Sequence, residues 1–214
     1  MKEYHKIPTV FKRDPADNHR TLLDGDYATP ELEFLADNKW VFTEKVDGTN
    51  IRIMCAAHGY SVTFGGKTDN AQIPAFLVSE LEQTFHALRP RRVLAEIFPD
   101  SGCLYGEGYG AKIQKSGGNY RSDQGFVLFD VNVGEWWLQR ADVEDVASKL
   151  GLDVVPTIGC GTLRNMVERV REGFSSAWGS FPAEGIVARP ETELCTRGGK
   201  RIITKVKCKD FADA

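Results

Sequence analysis

The sequence lacks any apolar run long enough to span a membrane, so no membrane-spanning helix is expected. Its first residues, MKEYHKIPTVFKRD, are charged and contain no apolar signal core, which favours a cytoplasmic location. The formal net charge is only −3 at pH 7. Because this total gives no general attraction for nucleic acid, any basic binding surface has to be local.

Metal-binding and disulfide patterns are also missing. The five cysteines are widely spaced and form no CxxC pair, which favours reduced structural thiols over a zinc site or a disulfide framework. The four histidines show no HxxxH or HxH spacing, so a histidine metal cage is not expected.

The apolar runs that are present predict a mixed α+β domain. No linker or repeat divides the 214 residues, so a single domain over 1–214 is expected. The patterns predict strands at Trp40–Val46, Asn50–Cys55, Tyr60–Phe64, Arg92–Phe98, Gly125–Val133, Glu135–Gln139, Gly185–Ala188 and Ile202–Lys207. They predict helices from Pro74 and over Asp142–Leu150 and Leu163–Arg171, with residues 1–37 as an irregular lead-in. Strands that follow one another in sequence favour antiparallel sheets with helices packed outside.

A lysine at the end of an apolar strand is the first candidate for chemistry. Lys45 lies in FTEKVDGTNIRI, directly before an Asp-Gly pair. Burial makes a lysine charge costly and favours the neutral amine, which is a nucleophile. The alternative is a surface lysine before an ordinary Asp-Gly turn, and K-x-D-G alone does not decide between them.

Further candidates lie on later predicted strands. Glu96 in VLAEIF and Glu184 in AEGIVARP are acids beside apolar runs, where each needs a partner or a ligand. Phe126 and Phe129 in FVLFDV point to opposite faces of a strand, so one can be core while the other lines a cleft. In TKVK, Lys205 and Lys207 share one face of the strand. They are either a pair that binds phosphate or lysines that protect a solvated edge strand from further pairing.

In this order the elements resemble the covalent nucleotidyltransferases, which include RNA ligases, DNA ligases and mRNA capping enzymes. KVDG at 45–48, EIF at 96–98, FVLFD at 126–130, AEGIV at 183–187 and TKVK at 204–207 are similar to that family's motifs I, III, IIIa, IV and V. The resemblance runs from about residue 40 to the end of the chain. It implies an ATP-grasp-like nucleotidyltransferase domain of antiparallel sheets flanked by helices.

Within the superfamily, details are similar to the RNA ligase branch that seals nicked duplex RNA. Asn50 stands where DNA ligases commonly carry arginine, and GYGAKIQKSGGNY at 108–120 is similar to the G-x-G-I-Q-K segment of that branch. Lys67-Thr68 replaces its usual Arg-Thr pair, which keeps the charge but loses the bidentate fork. The glycine-rich GEGYG at 106–110 lacks the G-x-G-x-x-G spacing, which excludes a dinucleotide loop.

The resemblance implies a role for each matching residue. Lys45 attacks the α-phosphorus of ATP, and the catalytic residues are Lys45, Asp47, Lys205 and Lys207. The nucleotide-binding residues are Glu44 at the adenine edge, Gly48, Asn50 and Lys67 at phosphate, Glu96 at the ribose, Phe129 on the adenine ring, and Glu184. Glu184 also holds metal-bound water, with Mg²⁺ or alternatively Mn²⁺ offsetting the triphosphate charge.

The implied substrate is RNA with a 5′-phosphate and a 3′-hydroxyl, at ends or nicks. A monomer is expected, without a C-terminal OB-fold or helical domain, so Lys112, Lys115 and Arg121 have to supply the grip on RNA. The alternatives are a capping guanylyltransferase, a DNA ligase, or an RNA-end-binding module that retains only self-adenylylation.

Overall fold

The fold is that of a computed structural model, which describes residues 3–59 and 61–211. The strands are β1 (Phe11–Arg13), β2 (Leu22–Tyr27), β3 (Trp40–Glu44), β4 (Thr49–Cys55), β5 (Val62–Gly65), β6 (Gly102–Gly110), β7 (Gln124–Val133), β8 (Trp136–Trp137), β9 (Asp153–Val154), β10 (Thr157–Gly161), β11 (Gly185–Pro190) and β12 (Thr204–Lys207). The α-helices are α1 (Pro30–Phe34), α2 (Ala75–Phe85), α3 (Leu88–Ile97), α4 (Arg140–Leu150) and α5 (Leu163–Glu172). In this part of the chain, no helix combines the length and the apolar character needed to cross a membrane.

The chain forms two compact units that alternate along the sequence. The first unit is built from Met1–His5 and Asp47–Val155, and the second from Lys6–Val46 and Pro156–Ala214. Each unit has its own sheet and its own hydrophobic core.

In the first unit, a sheet has the order β5-β4-β6-β7-β8, and its strand β4 carries Asn50. The short strand β9 pairs in parallel with β7, and the other pairs are antiparallel. Ile51 and Ile53 of β4 are fully buried in a core that also takes Leu77 and Leu81 of α2 and Val143 of α4. The helices thus cover one face of the sheet, which is the layering expected of an α+β domain.

In the second unit, a four-stranded antiparallel sheet has the order β10-β3-β11-β12. Buried side chains of β3 and β11, such as Trp40 and Ile186, pack with Met166 and Val170 of α5. Thr162 caps α5 by accepting from the Asn165 N–H, which is the cap that the sequence predicts. In this sheet the start of β11 lies between the end of β3 and the end of β12.

The sequence places most of these elements within a few residues. The strands around Lys45, Phe129, Glu184 and Lys205, together with α2, α4 and α5, are confirmed, as is the α+β class. The strand predicted from Tyr60 spans Val62–Gly65, with Tyr60 itself outside the described residues. The lead-in is not wholly irregular, because it contains the hairpin of β1 and β2 and the short helix α1.

The strand predicted over Arg92–Phe98 is wrong, since these residues belong to α3 and its end. A short apolar run such as VLAEIF does not distinguish a buried strand from a buried helix. Leu94 and Phe98 are fully buried and four residues apart, so a helix puts both on the core side. Leucine, arginine, alanine and glutamate are also good helix formers.

The strand that the sequence analysis missed is β6, the neighbour of both β4 and β7. Four glycines made this stretch resemble a loop. Packing explains one of them, because a Cβ on Gly106 would lie 2.3 Å from the Phe126 ring and from the Val127 oxygen. Tertiary contacts therefore require glycine where strand propensity disfavours it.

Candidate active site

Lys45 follows directly on β3, in the second unit. Its backbone N–H donates to the Gly185 oxygen at 2.9 Å, which fixes it beside the start of β11. Gly185 is needed there, because a Cβ would lie 2.2 Å from the Val206 oxygen. Gly185 therefore joins the KVDG segment by a hydrogen bond and lets the AEG segment approach the backbone of TKVK closely.

A single carboxylate joins the two lysines of this group. The Lys45 Nζ lies 2.6 Å from Glu184 Oε2, and the Lys207 Nζ lies 2.6 Å from Glu184 Oε1. All three side chains are partly buried, with exposed fractions of 20%, 14% and 25% for Lys45, Glu184 and Lys207. Glu184 thus holds two cations together at a distance where they would otherwise repel each other.

The lysines of TKVK have the predicted alternation. Thr204 and Val206 are fully buried, while Lys205 and Lys207 are partly exposed on the other face of β12. The edge of β12 is not left to solvent, because Val10 N–H donates to the Lys205 oxygen at 3.0 Å and Lys205 N–H to the Pro8 oxygen at 3.1 Å. The reading of TKVK as a solvated edge strand is therefore wrong.

Glu44 is the most deeply buried acid of the group, at 1% exposure. Its carboxylate accepts from the Ser176 hydroxyl at 2.6 Å and from the Ala177 N–H at 2.7 Å. These bonds fasten the loop before β11 to the strand that leads into Lys45. Reading of the adenine edge by Glu44 stays a prediction, and the contacts observed here are structural.

Replacing Glu44 by alanine should lower the free energy of unfolding by about 1–3 kcal/mol, because it leaves the Ser176 hydroxyl and the Ala177 N–H without their acceptor. Ser176→Ala removes one of these two bonds and the bond that the Ser176 hydroxyl accepts from the Trp178 N–H, but it leaves the Glu44 carboxylate bonded to the Ala177 N–H and should cost less. Urea denaturation of both variants measures the difference. An equal or larger loss for Ser176→Ala would contradict the assignment of Glu44 as the centre of this contact.

The rest of the motif I segment lies in the first unit. Asp47 N–H donates to the Tyr120 hydroxyl at 3.2 Å, and Gln114 Nε2 donates to the Gly48 oxygen at 3.0 Å. A Cβ on Gly48 would lie 2.4 Å from the Gly108 oxygen and 2.6 Å from Glu107 Cγ. Glycine at 48 therefore lets the loop pass directly over β6, and the GYGAKIQKSGGNY segment binds that loop.

Asn50 stands opposite a glutamate that the sequence analysis did not select. In the pairing of β4 with β6, Asn50 faces Glu107, and both are half-buried. The Asn50 Oδ1 is buried and has no hydrogen-bond partner. A buried, unsatisfied acceptor is costly, and such groups usually have a functional or solvent partner. Glu107 is thus an acid on a strand, which is the setting that the sequence predicts for Glu96.

Phe126 and Phe129 differ in their surroundings, as strand alternation requires. Phe126 lies in the core of the first unit, while Phe129 is half-buried outside that cluster and contacts the Tyr4 ring edge-on, with 5.1 Å between centroids. The pairing of β7 with β6 skips Phe129 between Asp130 and Leu128, which marks a bulge. Phe129 is therefore the aromatic ring of this strand that can meet a ligand.

Lys67 lies beyond the end of β5, in an exposed bend and not on the strand. The fully buried Arg52 fixes this bend by donating from Nε to the Gly66 oxygen and from Nη2 to Asp69 Oδ1, each at 2.7 Å. Lys67 is therefore held near β4 by its neighbours, and its phosphate contact stays a prediction.

The cations proposed to grip RNA are not equivalent. Lys112 and Lys115 are exposed. Arg121 makes two hydrogen bonds to Asp123, at 2.6 and 2.9 Å, and the guanidinium holds the pKa of Asp123 below its ordinary value. Because its charge is offset, Arg121 offers less to an RNA phosphate than the two lysines do.

A family model for RNA ligases matches residues 38–207, a stretch that contains Lys45, Glu184 and Lys207. The chain belongs to the RNA ligase family. A comparison with curated proteins finds no match.

The fold is that of solved RNA ligases. The Naegleria gruberi RNA ligase with PPi matches with a TM-score of 0.68 and 15% identity, over 99% of this chain and 57% of that chain. A mutant of the same ligase with AMP and Mn matches with a TM-score of 0.69 and 14% identity, over 99% and 57% of the two chains. Another mutant, with ATP and Mn, gives 0.63 and 16%, over 83% and 52%. The chain thus spans little more than half the length of these ligases.

Among the motifs of this RNA ligase family member, the assignment at Glu96 needs correction. Glu96 is exposed on α3, not embedded in a strand, so the reason for selecting it is lost. Glu107 occupies a central strand beside Asn50. The signal that could have found it is the Gly-Glu-Gly in LYGEGYG, where small residues flank an acid next to the IQK segment.

Proposed function

We propose that this chain is an ATP-dependent RNA ligase that works through a covalent lysyl-AMP. The observation that carries the proposal is the group of Lys45, Glu184 and Lys207, in which both amines lie 2.6 Å from one carboxylate. Membership of the RNA ligase family and a fold shared with ligases solved with ATP and with AMP support the same chemistry.

In the first step, Lys45 has to become a neutral amine. Its proton can pass to Glu184 Oε2, to which the amine is already hydrogen-bonded. The nitrogen then forms a bond to the α-phosphorus of ATP, the bond from that phosphorus to the bridging oxygen breaks, and pyrophosphate leaves. Lys207 and Lys205 stabilise the negative charge that develops on the phosphates.

In the second step, an oxygen of the RNA 5′-phosphate attacks the α-phosphorus of lysyl-AMP. The phosphorus–nitrogen bond breaks, and Lys45 takes up a proton as it leaves. In the third step, the RNA 3′-hydroxyl attacks the 5′-phosphorus, loses its proton and displaces AMP, which seals the strand. The exposed lysines Lys112 and Lys115 are the cations available to contact RNA phosphates in the first unit.

The donor set fits a divalent ion held mainly by substrate. Among residues 3–59 and 61–211, no group of three or more histidine, cysteine or acidic side chains can cage a metal. Mg²⁺ commonly uses one or two carboxylates together with substrate phosphates and water, and Glu184 is the carboxylate at this site. When bound, the ion would offset triphosphate charge.

Glu107, in place of Glu96, is the acid proposed to accept from the ribose hydroxyls. A hydrogen bond to a charged group contributes about 1.5–3 kcal/mol, so Glu107→Ala should lower kcat/KM for ATP in self-adenylylation roughly 10- to 100-fold. Glu96→Ala, on the exposed face of α3, should change it little. The reverse ranking in a labelling assay would restore the original assignment.

Phe129 is proposed to stack on adenine. Phe129→Ala should weaken ATP use by about 1–3 kcal/mol, the range for base–aromatic stacking, without a matching loss of stability. Phe126→Ala should instead lower the free energy of unfolding by about 3–5 kcal/mol, because it empties a core position. Titration of ATP and thermal unfolding separate the two effects, and a purely structural loss at Phe129 would refute stacking.

The proposal is tested by following nucleotide and RNA together. The chain is incubated with α-labelled ATP or GTP, Mg²⁺ and nicked duplex RNA, and each covalent species is resolved. ATP labelling, AMP transfer to RNA and sealing are expected in that order, with GTP a poor donor. Labelling by GTP alone would indicate a capping-type enzyme, and labelling without AMP transfer would indicate the RNA-end-binding alternative.

The single-domain organisation, the monomeric state and the cytoplasmic location stay part of the proposal.

A further inference from the structure

An open cavity of about 900 Å³ lies within the second unit, beside the lysine strand β12. Its volume is in the range of sites that hold nucleotides and similar ligands. One wall is the lead-in between Lys6 and Ala28, and another is the exposed face of β12. The basic residues that line it are Lys6, Lys12, Arg13, His19, Lys205 and Lys207. Most of this wall precedes the stretch that the RNA ligase family model matches.

The lead-in is fixed in place by backbone pairing. Thr9 forms a parallel bridge with Lys205, and the hydrogen bonds on either side of it hold Pro8 and Val10 along β12. Ala28 N–H donates to the Val10 oxygen at 3.0 Å, which ties the second strand of the hairpin to the same segment. The cations of the lead-in therefore have a defined position next to Lys205 and Lys207.

The side chains that line the cavity include many positively charged hydrogen-bond donors. Among the described residues that line it, there is no aspartate or glutamate. Lys12 pairs with Asp26, Arg13 with Asp210 and Lys207 with Glu184, but none of these carboxylates lines the cavity. A lysine has three N–H donors and an arginine five, so each paired cation keeps donors for another acceptor. This arrangement suits a multiply charged anion with several oxygens.

The ligation chemistry supplies two such anions in turn. Pyrophosphate has to be held and released in the first step, and the RNA 5′-phosphate has to reach the same α-phosphorus in the second. Lys207 lines the cavity and shares Glu184 with Lys45, so the cavity adjoins the nucleophile's own ion-pair group. We propose that this cavity is a phosphate site, which receives the pyrophosphate portion of ATP and then the RNA 5′-phosphate. The role of the cavity in ligation rests on the proposed function, whereas its ability to bind a phosphate anion does not.

The test compares two variants with the same change in charge. Lys6→Ser with Lys12→Ser removes two cavity cations, whereas Lys39→Ser with Lys200→Ser removes two exposed lysines of the same unit that do not line the cavity. Inorganic pyrophosphate is titrated into each full chain by calorimetry at low salt. The cavity variant should bind it roughly tenfold more weakly than wild type, and the control should stay within about twofold. Equal affinities for both variants, or no pyrophosphate binding by wild type, would overturn the proposal.

Two kinetic measurements then identify the source of the phosphate. Loss of ATP use in self-adenylylation indicates the triphosphate, and loss of AMP transfer from pre-adenylylated chain to 5′-phosphorylated RNA indicates the RNA end. The proposal expects both losses, and either one alone assigns the cavity to that single source. Lys6→Ser is a further variant, because Lys6 makes no ion pair in the described part of the chain and its removal breaks none.

The calorimetric result also separates failure of the cavity from failure of the ligase assignment. Wild-type chain that binds pyrophosphate through Lys6 and Lys12 but never becomes adenylylated would retain the cavity and refute the proposed function. If the chain becomes adenylylated normally but the two double variants are indistinguishable in every assay, the proposed function is retained and the phosphate site in the cavity is refuted.

Discussion

Lys45→Ala should reduce self-adenylylation by roughly a thousandfold or more, because it removes the atom that forms the bond to AMP. No other group in the site can replace it without a new geometry, since Lys207 lies on a different strand and on the other oxygen of Glu184. The measurement is covalent incorporation of label from α-labelled ATP, resolved on a denaturing gel.

The fold should survive this substitution. Glu184 keeps its pairing with Lys207 at 2.6 Å when Lys45 is removed, so no buried carboxylate is left without a cation. Lys39→Ala is the matched control, because it removes an exposed lysine from the same unit. Normal labelling of the Lys45 variant would refute the nucleophile, and an unfolded variant would show that its role is structural.

Lys207→Ala and Lys205→Ala should each slow self-adenylylation by on the order of 100-fold, the size typical of losing one group that stabilises transition-state charge. Lys207 shares the carboxylate that binds Lys45, and Lys205 lies on the same face of β12. Lys209 is the control, because it is exposed beyond the end of the strand, and its removal should change the rate by no more than about twofold.

Rates at saturating ATP distinguish this explanation from simple attraction of the nucleotide. Loss of kcat at Lys205 and Lys207 indicates transition-state stabilisation, whereas a rise in KM alone indicates uniform binding of ATP. Small and equal effects at all three lysines would show that their charge serves solubility and not the reaction.

Much of this site could be predicted from local sequence. Lys45, Glu184 and Lys207 lie at the ends of strands whose apolar pattern is clear, and antiparallel pairing of β3, β11 and β12 brings those ends together. The alternation that puts Lys205 and Lys207 on one face needs only the period of a strand. What local sequence did not show is that Glu184 pairs with both lysines, because the pairing depends on the register between three strands.

The errors have the same physical origin. VLAEIF is apolar enough for a strand, and only the packing of Leu94 and Phe98 into one core makes it helical. The glycines of β6 are disfavoured in strands, and only contacts such as that of Gly106 with Phe126 explain them. VLAEIF therefore predicts a strand acid at Glu96, whereas the glycine-rich stretch that carries Glu107 gives no strand prediction. Tertiary contacts decide both cases, and neither is visible in a single sequence.

Covalent attachment of AMP to Lys45 is tested most directly by mass spectrometry. Wild-type chain is incubated with ATP and Mg²⁺, digested with a protease and analysed by peptide mapping. One AMP per chain is expected, attached through an acid-labile phosphoramidate to the peptide that contains Lys45. AMP on a peptide without Lys45, or a chain that stays unmodified while it seals RNA, would contradict it.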